Sequence, residues 1–201
     1  MIWCCLLFFA LQASSEGLRY IFGPTEQFDS LFRSKYKANL ILIRTHAVFS
    51  VLAVCLGPLN FLDTSLRKRF HKTLGRLYAS GVFVGSVTAF PMALMAEGGM
   101  STRIAFFLQA TFWILTLTWA VTMARTHRWT SHRRAMIRNY SLTYSAVVSR
   151  ILLHGLQQFG ITFAELYPVV SWTWVVGLMV GEWWIYYSTK LGQENQKLTT
   201  I

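Results

Sequence analysis

Charge, and acidic charge above all, is scarce in this chain: 13% of its 201 residues are Asp, Glu, Lys or Arg, and only eight of these are acidic. That is about half the charged share of a soluble domain, too little to clothe a water-facing surface. Cysteine is equally sparse. Cys4, Cys5 and Cys55 form no CxxC pair and have no histidine at metal-ligand spacing, which excludes a thiolate metal site and leaves them as small apolar residues. The spacing from His127 to His132 is too loose for zinc without further ligands, so no metal is expected. A Gly-rich phosphate loop is missing, and no Ser, His and acid set reads as a nucleophile with its base.

What the sequence has is apolar length. Apolar residues make up 54% of it, with eight Trp, eight Tyr and fifteen Phe, many near the ends of apolar runs where amphipathic rings favour the headgroup zone. A helix needs about 20 apolar residues to cross about 30 Å of hydrocarbon. Five stretches qualify: 40–62, 77–96, 104–124, 140–162 and 166–189. The first carries Arg44 and His46 near its start, and the fourth is weakened by Arg150 and His154. The fifth has Pro168 in its first turn, where a missing N–H costs little, and holds Glu182. Residues 1–13 are apolar but too short to span alone, and they lack the basic start of a signal peptide. The expected fold class is an all-α integral membrane bundle of five transmembrane helices, with a sixth, partial one at the N-terminus. Residues 1–39 are then a partial membrane or signal-like helix followed by an external amphipathic segment, 40–189 the bundle and 190–201 a polar tail.

The net charge of +11 comes from Lys and Arg set between apolar spans and not along one soluble face, which argues for anionic lipid headgroups and against nucleic acid as the partner. Twelve of these residues fall on one side: Arg67, Lys68, Arg69, Lys72, Arg76, Arg125, Arg128, Arg133, Arg134, Arg138, Lys190 and Lys197. Six, Arg19, Arg33, Lys35, Lys37, Arg44 and Arg103, fall on the other. Basic residues near span ends are retained in the cytoplasm, so a multi-pass plasma-membrane protein with a cytoplasmic C-terminus is expected. Arg67, Lys68, Arg69, Lys72, Arg76, Arg133, Arg134 and Arg138 are its candidate headgroup contacts, each contributing about 1 kcal/mol of attraction near an anionic leaflet. Two GxxxG patterns, Gly81 with Gly85 and Gly177 with Gly181, predict close helix packing without specifying a dimer.

Asn139, Thr143, Arg150, His154 and Gln157 fall on one helical stripe of the fourth span. A charge near the bilayer centre costs about 2.5–3.5 kcal/mol even on lenient scales, so Arg150 is expected to face inward. Glu182 is the lone acid deep within a span, and pairing with Arg150 would compensate both charges. The buried polar centre is thus expected to comprise Arg150, Glu182, Asn139, Thr143 and Gln157, acting either as a structural clamp or as a relay. Histidines offer another chemistry: His46 and His154 lie at similar depth near one end, while His71 and His132 fall near the other. Bis-His ligation of haem b needs two imidazoles at matching depth on facing helices, so these four are candidate ligands beside the simpler reading of isolated polar residues.

Several segments resemble the bacterial membrane family known as domain of unknown function 2306: HKTLGRLY at 71–78, AEGG at 96–99, SHRRAMIRNYSLTYSAVVSR at 131–150, THAVFSVLAVCLGPLNFL at 45–62, and GEWW around Glu182. The resemblance runs over residues 40–187. It implies recurring positions at His46, Gly57, Pro58, His71, Gly75, Arg76, Tyr78, Glu97, Gly98, Gly99, His132, Arg133, Arg138, Tyr140, Arg150 and Glu182. His154 is outside that pattern, and Asn139 and Ser141 stand where the family more often has Ser and Ala. The family more often begins with a full extra helix, of which 1–13 would be a shortened form. The leading expectation is a redox, transport or assembly accessory of unassigned reaction. A haem-b electron-transfer module and a structural subunit of a larger membrane complex, with a membrane-protein partner, are the alternatives.

Overall fold

The computed structural model describes residues 2–28, 30, 32–61 and 65–199, and 88% of the chain is helical. No strand occurs among the described residues. The helices are α1 (Ile2–Phe22), α2 (Arg33–Ala38), α3 (Leu40–Leu59), α4 (Ser65–Met95), α5 (Gly99–Arg125), α6 (Trp129–Gln157), α7 (Phe163–Val170) and α8 (Thr173–Thr199), with one 3-10 turn at Thr25–Gln27. Among the described residues four helical stretches are long and apolar enough to cross a membrane: Leu40–Leu59, Arg69–Met95, Gly99–Arg125 and Phe163–Leu191. The expected spans 40–62, 77–96, 104–124 and 166–189 fall on these four.

The fifth expected span lies on α6, which is long enough but too polar to join them. Its place in the bundle explains how that polarity is accommodated. α6 packs against α1, α3, α5, α7 and α8, so neighbours cover most of its circumference. Residue 140 does not open this helix, which begins eleven residues earlier at Trp129.

Consecutive long helices run antiparallel, giving the bundle two ends. At one end α3 begins, α4 turns into α5, and α6 leads into α7; at the other, basic end, α5 turns into α6. The AEGG sequence makes the α4–α5 turn. Gly98 and Gly99 have φ of +86° and +84°, and a Cβ on Gly98 would meet the Thr102 hydroxyl oxygen at 2.5 Å. Only glycine takes that conformation without strain. Glu97 in this turn forms a salt bridge with Lys35 of α2, and Arg103 Nε donates to the Ala96 carbonyl at 3.1 Å. Nearby, Lys37 of α2 reaches Glu26, in the segment before that helix, at 3.1 Å. The backbone N–H of Glu26 and then the Lys37 ammonium hold its carboxyl below the usual carboxylate range.

Both GxxxG patterns mark close approaches. A Cβ on Gly81 would lie 2.9 Å from the Phe49 carbonyl of α3, and one on Gly85 would lie 2.9 Å from the Trp113 ring of α5. Gly177 and Gly181 likewise bring α8 onto Ser141 of α6. Dispersion between backbones this close is the attraction available in lipid, where burial of apolar surface gains nothing.

Two expectations about the chain path are corrected. The N-terminal helix does not stop near residue 13 but continues to Phe22, so residues 14–22 are helical. Ser14 satisfies its hydroxyl on the Ala10 carbonyl at 2.6 Å, and Gly17 leaves room for Val51, which lets α1 lie along α3. The fifth span is not one straight helix either. Pro168 sits inside α7, and the helix breaks at Ser171 and Trp172 before α8 starts. The missing Pro168 N–H weakens the preceding turn. Hydroxyls then take over carbonyls at the break: Ser171 Oγ donates to Pro168 O at 2.6 Å and Thr173 Oγ1 to Val170 O at 2.9 Å.

Candidate functional site

Below the middle of the bundle, α4, α5 and α6 meet in a buried polar knot. Asn139 and Tyr78 have no exposed surface, and Thr143 is buried beside them. Tyr78 donates its hydroxyl to Asn139 Oδ1 at 2.6 Å, and Asn139 Nδ2 donates to the Trp113 carbonyl at 2.7 Å and to Thr116 Oγ1 at 2.8 Å. Trp113 Nε1 donates to Thr143 Oγ1 at 2.8 Å. Every polar atom of the Asn139 side chain thus has a partner, as a low-dielectric interior requires. Tyr140 packs beside the knot with its ring against Gly57, whose missing side chain is what admits it: a Cβ there would fall inside the ring's van der Waals volume.

Above this knot a cavity of about 350 Å³ opens between α1, α3, α4, α5, α6 and α7. Trp113 and Thr143 form part of its floor, and Arg150 and His154 line its walls on α6. His154 is exposed and Arg150 half-buried, placing the mouth at the end where α6 meets α7. His46 and Ser50 line it from α3, one helical turn apart. The His46 Nδ1–H donates to the Gly85 carbonyl at 3.0 Å, and in the neutral ring this leaves Nε2 to accept the Ser50 hydroxyl at 3.2 Å. From α5, Gln109 Nε2 donates to Ser145 Oγ at 3.0 Å. Much of the remaining wall is small or apolar, including Ala47, Ala89, Ala93, Ala110, Ala146 and Val147.

The expected pair of Arg150 and Glu182 does not form. Glu182 is held by Arg138, which donates from Nε and, at 2.8 Å, from Nη2, in a bidentate pair. Arg150 instead donates from Nη1 to the Ala146 carbonyl of its own helix at 3.0 Å. The register of α6 on α8 explains the outcome. Gly177 and Gly181 seat on Ser141, and Ser149 Oγ meets Thr173 Oγ1 at 2.6 Å, so Glu182 lies level with Arg138. Arg150 is twelve residues further along α6, or about 18 Å. Arg138, expected at the lipid headgroups, is accordingly a pairing residue, and its guanidinium also lies over the Trp119 ring at 5.4 Å.

The expected polar centre is therefore divided. Asn139 belongs to the buried knot, Thr143 to both the knot and the cavity floor, Arg150 to the cavity, and Glu182 to a half-exposed ion pair. Gln157 is the last residue of α6, where its carbonyl accepts the Gly160 N–H at 3.0 Å. Among the histidines, His46 and His154 share the cavity. His132 sits at the basic end, bonded through Nδ1 to the Ala120 carbonyl at 2.8 Å, and His71 is exposed on the basic end of α4. Arg69, Lys72, Arg76, Arg133 and Arg134 are exposed at that end, whereas the side chains of Arg67, Lys68 and Lys197 lie outside the described residues, as do those of Cys4 and Cys5. Trp113, Ser50 and Gln109 are site residues that sequence reasoning missed, and Tyr78 entered it only as a recurring position. The signal for Tyr78 was its phenol at the entry to an uncharged span, a group that needs a partner when buried.

Several positions of the recurring pattern acquire physical roles in this arrangement: Gly57 with Tyr140, Tyr78 in the knot, Glu97 to Gly99 at the turn, Arg138 with Glu182, and His46 and Arg150 at the cavity. No curated protein and no solved structure matches the chain. The model of one family, described as a predicted membrane protein and called DUF2306, matches residues 43–185, the stretch that contains the knot, the cavity walls from α3 to α7 and the ion pair. The chain belongs to that family of predicted membrane proteins, DUF2306.

Proposed function

We propose that this protein is a small multi-pass accessory of the plasma membrane that takes a small amphipathic molecule into the cavity between α1, α3 and α6, in support of transport or redox transfer. The observation that carries the reading is the cavity: it has the size of a ligand pocket, apolar walls, and a few convergent polar groups in Arg150, His46, Ser50 and Gln109. In this reading α3, α4, α5, α6 and α8 cross the bilayer and α1 makes a sixth crossing beside α3. Burial of α6 on several sides supports its crossing, since neighbours shield its polar stripe. The basic end faces the cytoplasm with the C-terminus, where the exposed Arg69, Lys72, Arg76, Arg133 and Arg134 meet anionic headgroups.

Mass spectrometry of small molecules extracted from the purified protein tests the proposal. A species that co-purifies with the native chain and is lost when Ala146→Phe fills the cavity is expected. Identical extracts from the native and filled proteins would refute it.

A second reading, a haem-b module, is favoured by one observation: His46 and His154 line the same cavity, and the Gly85 carbonyl fixes His46 with its Nε2 lone pair free of a proton. These two histidines would hold the group, which would supply one-electron chemistry. Protein purified from haem-supplied cells should then show a Soret band that His46→Ala abolishes, and colourless protein would end this reading.

A further inference from the structure

Arg150 is the sole formally charged residue among the described residues that line the cavity; no Asp, Glu or Lys is among them. A guanidinium offers five N–H donors, and the bond it makes here is one from Nη1 to the Ala146 carbonyl. Glu182, the acid expected to neutralise it, is occupied by Arg138 at the far level of the bundle. An uncompensated cation between membrane helices is costly, and such residues mark the path or site of a ligand of opposite charge. The surroundings set the rest of the ligand. Beyond Arg150 the wall is mostly Ala, Val and Leu side chains, interrupted by His46, Ser50, Gln109 and Thr143, whose polar atoms are bonded within the protein, and it closes on Trp113 with no second formal charge.

We infer that the cavity holds a single-chain amphiphile with an anionic head group, carboxylate or phosphate, its head on Arg150 near the mouth and its apolar chain laid toward the floor. This inference rests on the cavity being a ligand site, as proposed above, and adds the chemistry of the ligand. The guanidinium fork matches either oxyanion in bidentate fashion, which an ammonium does not. His154, Tyr36 and Tyr167 also line the cavity.

Equilibrium binding of dodecanoate, dodecyl phosphate and dodecanol to the full chain in phosphatidylcholine nanodiscs, corrected with empty discs, tests the inference. Saturable binding of an anionic probe is expected, with dodecanol weaker by about tenfold or more. Whichever anion binds more tightly identifies the source as a fatty acid or a phosphate-headed lipid. Arg150→Gln should weaken the anionic probes by about tenfold while leaving dodecanol unchanged, with Arg150→Lys falling between. Dodecanol binding as tightly as the anions, or anion affinity unchanged in Arg150→Gln, overturns the head-group assignment while leaving the cavity as a site. An absence of saturable binding for all three probes overturns both. If Arg150→Gln does not fold, the comparison of anion with alcohol on the native chain still decides.

Discussion

Replacing Asn139 with alanine should destabilise the bundle far more than an average membrane-helix substitution. The side chain has no exposed surface and makes three hydrogen bonds: from Tyr78, to the Trp113 carbonyl and to Thr116. Interhelical hydrogen bonds in membrane proteins average about 0.6 kcal/mol, so three amount to about 2 kcal/mol. The Tyr78 hydroxyl keeps Thr143 as a partner at 3.0 Å and is not orphaned, which holds the loss near that figure. Unfolding by SDS titration in mixed micelles, followed by far-UV circular dichroism, measures it. A double-mutant cycle with Tyr78→Phe isolates the shared bond and should return a coupling of about 0.6–1.7 kcal/mol. A loss below about 0.5 kcal/mol for Asn139→Ala, together with additive behaviour in the cycle, would refute the claim that these residues form one satisfied network.

Two further outcomes follow from packing and pairing. Gly57→Ala places a methyl group inside the Tyr140 ring volume and should cost about 1–3 kcal/mol in the same titration, with Tyr140→Ala partly rescuing it; a neutral Gly57→Ala would show that α3 and α6 are not in contact there. For the ion pair, cycles among Arg138→Gln, Arg150→Gln and Glu182→Gln should give a coupling of about 1 kcal/mol between residues 138 and 182 and none between 150 and 182, and the reverse order would mean that the α6–α8 register is wrong.

Much of the fold was legible because the bilayer imposes length. Uncharged runs such as 104–124 have no other use at this composition, and α5 falls on that run with five residues added before it and one after. Glycine spacing also carried through, since small residues four apart let helix backbones approach closely in lipid. The site was legible only in part. Of the stripe on α6, Asn139 and Thr143 are buried and Arg150 lines the cavity, whereas His154 is exposed. The partner of Glu182 was not readable, because a helix pair has many registers and sequence spacing fixes none of them. Here Gly177, Gly181 and the break at Ser171 set it. The cavity was equally hidden. It exists because Ala47, Ala89, Ala93, Ala110 and Ala146 face one another from four helices, and no single helix betrays that coincidence.

The hollow beside Arg150 is the feature on which the functional account stands, and thiol accessibility probes it most directly. In a chain with Cys4, Cys5 and Cys55 changed to serine, a cysteine at Ala146, on the cavity wall, is compared with one at Ala120, which is fully buried and does not line it. Rapid modification of Ala146→Cys by a small methanethiosulfonate reagent is expected, slowed by an anionic amphiphile, with Ala120→Cys inert. Equal inertness of both positions in folded protein would contradict it.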